Sequence, residues 1–284
     1  MASRFWVGGT GTWDASDTTH WAATTGGAGG QSVPGSSDTV TFDASSGGGA
    51  VTVNTTVTVI SLSAGAFTGT LDFATNNNNV TISANGGGQG LIFSGSGTRT
   101  INMGSGTWTL SGAGPLLMDI TTVTGLTLSS SSANIVLSAV TATTRTIAVG
   151  TSFTYASLTI NANSSKGFVS VGAATAVTFG SVTVGSGNTV GFAQGITTTI
   201  TGALTMTGTS SAPVGLMSGA PITNVATISV GSASTIDWGG ILRITKAGAG
   251  SITATNSLDM GGNTGVTITA PSGGGGGTVP YVIG

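Results

Sequence analysis

The residues with distinctive chemistry are few, and most of them are aspartates. The chain of 284 residues contains one histidine, no cysteine, six lysines and arginines, and eight acidic residues, all of them aspartate. A polysaccharide hydrolase or lyase needs carboxylates that converge on one bond. The best candidate pair is Asp237 and Asp259, because Ile236-Asp237-Trp238-Gly239-Gly240 and Leu258-Asp259-Met260-Gly261-Gly262 have the same pattern 22 residues apart.

That spacing predicts that the two carboxylates stack on adjacent coils of a repeat, close to the separation that a retaining glycosidase uses. Together with turn carbonyls, the pair would also make a thin ligand set for calcium. Asp72 lies in a similar strand, which indicates instead that aspartate is simply tolerated at an outward position. With no glutamate and a single histidine, we expect no enzyme activity, no cofactor and no transition-metal site.

Short apolar strands return at nearly constant spacing in the second half of the chain. Successive strands are centred 24, 22, 24 and 24 residues apart, on Leu158, Val182, Leu204, Ile228 and Ile252. Two further short strands fit into each period, and apolar residues alternate with threonine or serine. A period in the twenties is typical of stacked repeats. The sequence therefore predicts an all-β fold, a parallel β-helix (β-solenoid) with about three short strands per coil of 22–24 residues.

The composition agrees with this fold and excludes several functional classes. Only 5% of the residues are charged and the formal net charge is −2, whereas ordinary globular domains have about 25% charged residues. The lysines and arginines are scattered singly, so we expect no nucleic-acid partner. No apolar run is long enough for a membrane span or a secretion signal, so we expect neither.

Residues 1 to 45 do not share the period and contain most of the distinctive side chains. We expect this block to be a Trp-rich cap or anchor, followed by the solenoid over 46–270 and by a Gly-rich linker and tail over 271–284. Large aromatic side chains suit the covering of an open solenoid end, and a sugar-stacking or partner-docking face is the alternative. The candidate cap or particle-docking residues are Trp6, Trp13, His20, Trp21, Pro34, Asp38 and Phe42.

The order of residues in this block resembles a known pattern. Trp13 follows a Gly-Thr-Gly-Thr run, Trp21 comes eight residues later, and Val33-Pro34 precedes Asp38, Val40 and Phe42. This order is similar to the opening of β-helical phage virion surface proteins of the fibre, spike or decoration type. It is similar, more loosely, to bacterial autotransporter passenger repeats. The resemblance covers about the first fifth of the chain and implies a surface-displayed or virion-borne β-helix, and it carries no catalytic site with it.

The resemblance favours a non-enzymatic virion structural protein, made in the host cytoplasm and displayed on the virion surface. Such a head fibre, head spike, decoration protein or tail fibre would contact capsid or tail proteins and aid attachment to a host surface glycan. A homo-oligomer, with a trimer favoured, would bury the uncharged outer strands. The alternatives are a secreted adhesin of the autotransporter type, which would need a signal sequence and a membrane-anchoring barrel, and a polysaccharide-degrading β-helix enzyme.

Overall fold

The regular secondary structure of the described residues consists almost entirely of short β-strands. The computed structural model describes residues 1–84, 90–112, 114–138, 145–149, 153–161, 167–173, 176–219 and 222–272. These residues form thirty strands and one 3-10 turn, Ala44–Ser46, and none of them lies in an α-helix. The abundance of threonine, valine and serine and the near absence of lysine, arginine and glutamate favour strands over helices.

The strands are three to seven residues long in most cases. In chain order they are β1 Ser3–Trp6, β2 Gly11–Trp13, β3 Trp21–Ala22, β4 Thr39–Thr41, β5 Ala50–Val53, β6 Val57–Val59, β7 Ser61–Ser63, β8 Thr70–Asp72, β9 Val80–Ile82, β10 Leu91–Ile92, β11 Arg99–Asn102, β12 Thr107–Leu110, β13 Leu116–Ile120, β14 Leu126–Ser129, β15 Asn134–Leu137, β16 Arg145–Val149, β17 Thr154–Ile160, β18 Gly167–Ala173, β19 Thr178–Val184, β20 Asn188–Phe192, β21 Thr197–Ile200, β22 Leu204–Thr207, β23 Val214–Ser218, β24 Ala226–Val230, β25 Ser234–Asp237, β26 Gly239–Leu242, β27 Ile244–Ala247, β28 Ile252–Thr255, β29 Leu258–Asp259 and β30 Val266–Ile268.

Three sheets contain these strands, and their order recurs along the chain. A twelve-stranded sheet runs β29-β26-β23-β20-β18-β16-β13-β10-β7-β4-β1-β3, a five-stranded sheet runs β14-β11-β8-β5-β2, and a thirteen-stranded sheet extends from β30 to β6. From β4 to β15 the chain visits the three sheets in that order four times. All the pairings between the described strands are parallel except that of β1 with β3. The predicted all-β, parallel-stranded class is therefore confirmed.

A branch of the thirteen-stranded sheet continues this order after the five-stranded sheet ends. The first residues of β17 pair with β19 through Thr154 and Thr178, and Thr178 also pairs with Thr199 of β21. Strands β21, β24 and β27 then form a ladder of their own. The second halves of β17 and β19 pair with each other and lead to β22. Each long strand thus turns from one ladder into the next.

The length of one passage through the three sheets varies, which corrects part of the predicted repeat. Leu158 does pair with Val182, and Val182 with Leu204, as the spacing predicts. The next passage is longer. The neighbour of Leu204 in the following passage is Ser234, 30 residues later, whose Oγ accepts the Leu204 N–H. Ile228 therefore does not reach the same column, and it lies instead in β24 opposite Thr198.

Side chains that alternate along each strand form the interior. In the thirteen-stranded sheet the inward residues lie opposite one another from strand to strand, in the order Val57, Val80, Trp108, Ile135, Leu158, Val182 and Leu204. All of these side chains are buried and belong to one continuous hydrophobic cluster. Successive strands of a sheet are about 4.8 Å apart, so each apolar side chain packs directly on the next.

Glycine and asparagine residues allow the passages to approach closely where the chain leaves a strand. A Cβ atom on Gly69 would lie 2.1 Å from the Gly49 carbonyl oxygen, so no larger residue fits there. Asn76 Nδ2 donates to the Val53 carbonyl oxygen at 3.0 Å, in the preceding passage. Asn79 Oδ1 accepts from the Thr107 N–H at 2.9 Å, in the following passage. These amides satisfy main-chain groups of neighbouring passages and need no ligand.

The strands of the N-terminal block belong to the same sheets as the later strands. β1 pairs in parallel with β4, which pairs with β7, and β2 pairs with β5. β3 returns antiparallel to β1 and covers the edge of the twelve-stranded sheet. The division of the chain at residues 45 and 270 stays a prediction, and the predicted glycine linker and tail lie, from residue 273 onward, outside the described residues.

One matched pair of substitutions tests the inward and outward alternation. Val51 is fully buried in β5 opposite Leu71, whereas its neighbour Thr52 points away from the core and is half-buried. Val51→Thr places an unpaired hydroxyl inside and should lower the free energy of unfolding by about 1–3 kcal/mol. Thr52→Val should change it by about 0.5 kcal/mol or less. Denaturant unfolding measures both, and equal effects would contradict the assigned alternation.

Candidate functional site: the aromatic N-terminal end

The N-terminal end of the molecule is filled by a cluster of aromatic rings. The Trp21 ring makes edge-on contacts with Trp6 and Trp13, with ring centroids 5.2 and 5.0 Å apart. Phe42 lies within 6.1 Å of all three indoles and contacts Phe67 of the next passage at 5.3 Å. Trp6, Trp13 and Trp21 are at most 1% exposed. They therefore pack as a core, and none of the three rings presents a face on which a sugar could stack.

His20 covers the outer side of this cluster. Its ring stacks on Trp6 with centroids 4.6 Å apart and planes 9° from parallel. His20 Nδ1 lies 2.7 Å from Oδ2 of Asp17, within hydrogen-bonding distance, and this is the only contact between a basic and an acidic side chain among the described residues. A Cβ atom on Gly11 would come within 2.7 Å of His20 Nε2, so glycine is required beside the ring. Both polar side chains are partly exposed and lie at the surface of the cap.

Asp38 lies in the turn directly after Pro34, and this turn binds the first residues of the chain by hydrogen bonds. The carboxylate of Asp38 accepts the Ala2 N–H at 3.0 Å and the Gly35 N–H at 3.1 Å. The Asp38 carbonyl oxygen accepts the Ile60 N–H at 2.8 Å, which links the turn to the following passage. Pro34 immediately precedes this turn and is half-buried. The hydrogen bonds of the Asp38 carboxylate are sufficient to explain an aspartate at this position.

The structure does not bring Asp237 and Asp259 together in the predicted way. Asp237 lies in β25 of the thirteen-stranded sheet and pairs with Thr255, whereas Asp259 lies in β29 of the twelve-stranded sheet, opposite Ile241. The passage at this point takes only 18 residues, the separation of Asp237 from its hydrogen-bonded neighbour Thr255. Asp259, which is 22 residues after Asp237, therefore lies beyond the position that stacks on Asp237 and belongs to the next sheet. The expected stack of two carboxylates is wrong because the passages are unequal.

Most aspartates accept hydrogen bonds in their own turns. Six of the eight carboxylates accept the main-chain N–H two residues later, which is the pattern of an Asx turn. These pairs are Asp14 with Ser16, Asp17 with Thr19, Asp43 with Ser45, Asp72 with Ala74, Asp119 with Thr121, and Asp259 with Gly261. Asp237 instead accepts from the side chains of Thr255 and Asn256. Among the described residues no three histidine or acidic side chains form a group that could hold a metal ion.

Arg99 is a charged residue that is not among the candidate residues predicted from the sequence. Its side chain is 1% exposed, and its guanidinium donates to the carbonyl oxygens of Gly97 at 2.6 Å, Thr124 at 3.1 Å and Thr122 at 3.2 Å, and to that of Phe93. Burial lowers the pKa of this arginine. The alternation along β11 could have revealed it, because Arg99 occupies the same inward phase as the buried Ile101.

Replacement of Arg99 should be among the most destabilising changes at a polar position. Arg99→Met keeps the aliphatic bulk but removes the guanidinium donor from the carbonyl oxygens of Phe93, Gly97 and Thr124, whereas that of Thr122 still accepts the Gly95 N–H at 2.8 Å. We therefore expect a loss of about 2–4 kcal/mol in unfolding free energy. Arg4→Met is the control, because Arg4 bonds only near the surface, to Ser3 and Ser32. Thermal or denaturant unfolding measures both variants. Equal stability of Arg99→Met and the wild type would contradict the carbonyl-binding role.

The Asp17 turn should contribute to stability in a defined pH range. Hydrogen bonds from the Thr19 hydroxyl, His20 and the Thr19 N–H lower the pKa of Asp17 to about 2. A lowered pKa stabilises the fold above the ordinary aspartate value of about 3.9, and the contribution is lost as the pH falls toward 2. The difference in melting temperature between the wild type and Asp17→Asn should therefore shrink as the pH is lowered from about 5 to about 2. A constant difference would contradict it.

Comparisons with known proteins assign neither a family nor a function to the chain. No protein-family model, no curated protein and no solved structure matches the chain. None of the described residues lies in a helix that is long and apolar enough to cross a membrane. A function for the chain therefore has to be inferred from the sheets, the cap and the composition.

Proposed function

We propose that the chain is a non-enzymatic structural protein of a bacteriophage particle. It would be a head fibre, head spike, decoration protein or tail-fibre component, made in the host cytoplasm and displayed on the virion surface. The observation that carries this proposal is the recurrence of three parallel sheets in a fixed order along the chain. Such a body presents long regular faces to its surroundings and contains one continuous core, as a rigid projecting element requires.

In this proposal the three sheets are the faces of a single parallel β-helix. Each coil contributes one strand to each face, with the branch β21-β24-β27 as the continuation of the five-stranded sheet. Eleven parallel strands in the twelve-stranded sheet, at about 4.8 Å per step, give a rod roughly 50 Å long. From β4 onward the number of residues per coil varies from 14, between Thr253 and Thr267, to 30, between Thr205 and Thr235, instead of staying between 22 and 24. The extra residues are accommodated where the chain passes from one face to the next.

The side-chain chemistry also suits a display role. The chemically distinctive carboxylates accept hydrogen bonds in turns, and the outer surface is made mainly of threonine, serine and asparagine. The order of aromatic residues in the first 45 positions resembles the opening of phage virion surface proteins. Capsid or tail proteins are then the expected partners, with a host surface glycan as a possible target of attachment. We propose that the N-terminal block docks to the particle and that the rest of the rod projects.

Localisation of the chain on particles tests this function directly. Lysates from induced cells that carry the gene would be separated on a density gradient, and particles would be labelled with antibodies against the chain. We expect the chain to sediment with intact particles and gold label to lie on their surface. Recovery in the cell envelope, with none on particles, would reject the virion role and favour the secreted adhesin.

Single-cysteine variants test the orientation of the rod on the particle. The chain has no cysteine, so Ala15→Cys in the N-terminal block and Ser251→Cys near the other end each introduce one attachment point at an exposed position. With a photo-crosslinker on the thiol, we expect Ala15→Cys to couple to a capsid or tail protein and Ser251→Cys to remain uncoupled. The opposite result would overturn the proposed polarity.

A further inference from the structure

The outer surface of the thirteen-stranded sheet contains an unusually uniform row of side chains. Ten outward residues lie opposite one another from strand to strand, and nine of them are threonine. We call this row the threonine column; it consists of Thr58, Thr81, Thr109, Val136, Thr159, Thr183, Thr205, Thr235, Thr253 and Thr267. Each member is exposed or half-buried, so the row is accessible along its whole length.

Charge is nearly absent from this face. The adjacent outward row on one side includes Thr107, Asn134, Ser157 and Ser181. The row on the other side includes Thr207, Asp237 and Thr255, and Asp237 is the single charged residue among these registered positions. Its carboxylate already accepts from Thr255 and from Asn256 at 2.9 Å. Little charge would therefore have to be desolvated if another surface covered this face.

The other two sheets do not have such a face. An outward row of the twelve-stranded sheet runs Thr41, Ser63, Ile92 and Asp119, which mixes polar, apolar and charged side chains. In the five-stranded sheet the outward threonine row contains Thr70, Thr100 and Thr127, and Asp72 lies in the next row. The branch β21-β24-β27 has an outward threonine row of three strands, Thr197, Thr227 and Thr245. Short threonine rows thus occur elsewhere among the described strands, as the preference of strands for threonine predicts, but the registered row of ten positions belongs to the thirteen-stranded sheet.

We propose that the threonine column is the face through which copies of this chain associate with one another. This inference rests on the proposed function, in which the chain is a projecting rod on a particle, and deepens the expectation from the sequence that the chain forms a homo-oligomer. A second copy has the same strand spacing, so its threonines meet this column in step over the full length, as like side chains do between paired sheets. Threonine suits such a contact because its stiff χ1 angle fixes the methyl group for packing and its hydroxyl both donates and accepts.

The size of the face fits an association that depends on concentration. Ten strands at about 4.8 Å and three outward rows about 7 Å apart cover roughly 600 Å² per copy. Standard stable interfaces bury about 800 Å² on each partner. We therefore expect a reversible contact between free chains. Attachment of several copies to one particle would raise their effective concentration and complete the association.

A pair of matched double variants tests the assignment. Thr159→Lys with Thr183→Lys puts two like charges on neighbouring strands at the middle of the column. Thr70→Lys with Thr100→Lys makes the same change on neighbouring strands of the five-stranded sheet. Sedimentation equilibrium over a concentration series should give more than one chain of 27.3 kDa for the wild type and the second variant, and a single chain for the first. Equal dissociation of both variants, or a wild type that stays monomeric throughout, would overturn the inference.

Single cysteines provide a test that hardly perturbs folding. Thr183 lies at the middle of the column, so two copies bring these positions together whether they run parallel or antiparallel. After mild oxidation, Thr183→Cys should form covalent dimers and Thr100→Cys should not. Dimers from Thr100→Cys alone would place the contact on another face. If the chain associates through the column but is absent from particles, this inference holds and the virion role is rejected. If the chain is found on particles but is monomeric, the virion role holds and this inference is rejected.

Discussion

Main-chain hydrogen bonding between one passage of the chain and the next is the interaction on which the rest of the structure depends. A parallel strand has its N–H and C=O groups satisfied by both neighbouring strands, so no passage is complete alone. Pairing of charges contributes little, since the described residues contain a single contact between a basic and an acidic side chain, that of His20 with Asp17. Stability therefore comes from the ladders and from the apolar columns that the ladders align. The outward side chains are not needed for this stabilisation, which explains how the surface can contain so few charged residues.

The polar residues inside the molecule follow from the same constraint. Where the chain leaves one sheet for the next, the ladder is interrupted and main-chain groups lose their strand partners. Buried side chains replace those partners: Arg99 donates to four carbonyl oxygens, Ser234 accepts the Leu204 N–H at 2.9 Å, and Asn188 donates to the carbonyl oxygens of Gly185 and Ser186. Burying such groups costs free energy unless each is paired, so they lie at the corners where unpaired carbonyls are available.

The sequence was sufficient for the fold class and insufficient for the register. Alternation of apolar residues with threonine identified the strands, and the column through Leu158, Val182 and Leu204 forms as predicted. Sequence spacing counts residues, whereas register is determined by hydrogen bonds, and loops between sheets absorb insertions at small cost. For that reason Ile228 and the pair of Asp237 and Asp259 were assigned to the wrong neighbours. Arg99 was overlooked because its neighbours look polar, although its phase relative to Ile101 placed it inside.

The edge strands at the two ends of the described chain are covered to different extents, and this limits how a partner could bind. At the N-terminal end β3 pairs antiparallel with β1, the indole of Trp21 is fully buried among Trp6, Trp13 and Phe42, and His20 stacks on Trp6. At the other end Leu258 of β29 is 44% exposed, in an edge strand of the same sheet. A partner at the N-terminal end therefore meets a finished, polar loop surface and must recognise its turns, since the aromatic residues that distinguish this block in the sequence are out of reach. What the structure shows of these rings is packing: His20 stacks on Trp6, and Trp6 contacts Trp21 edge-on.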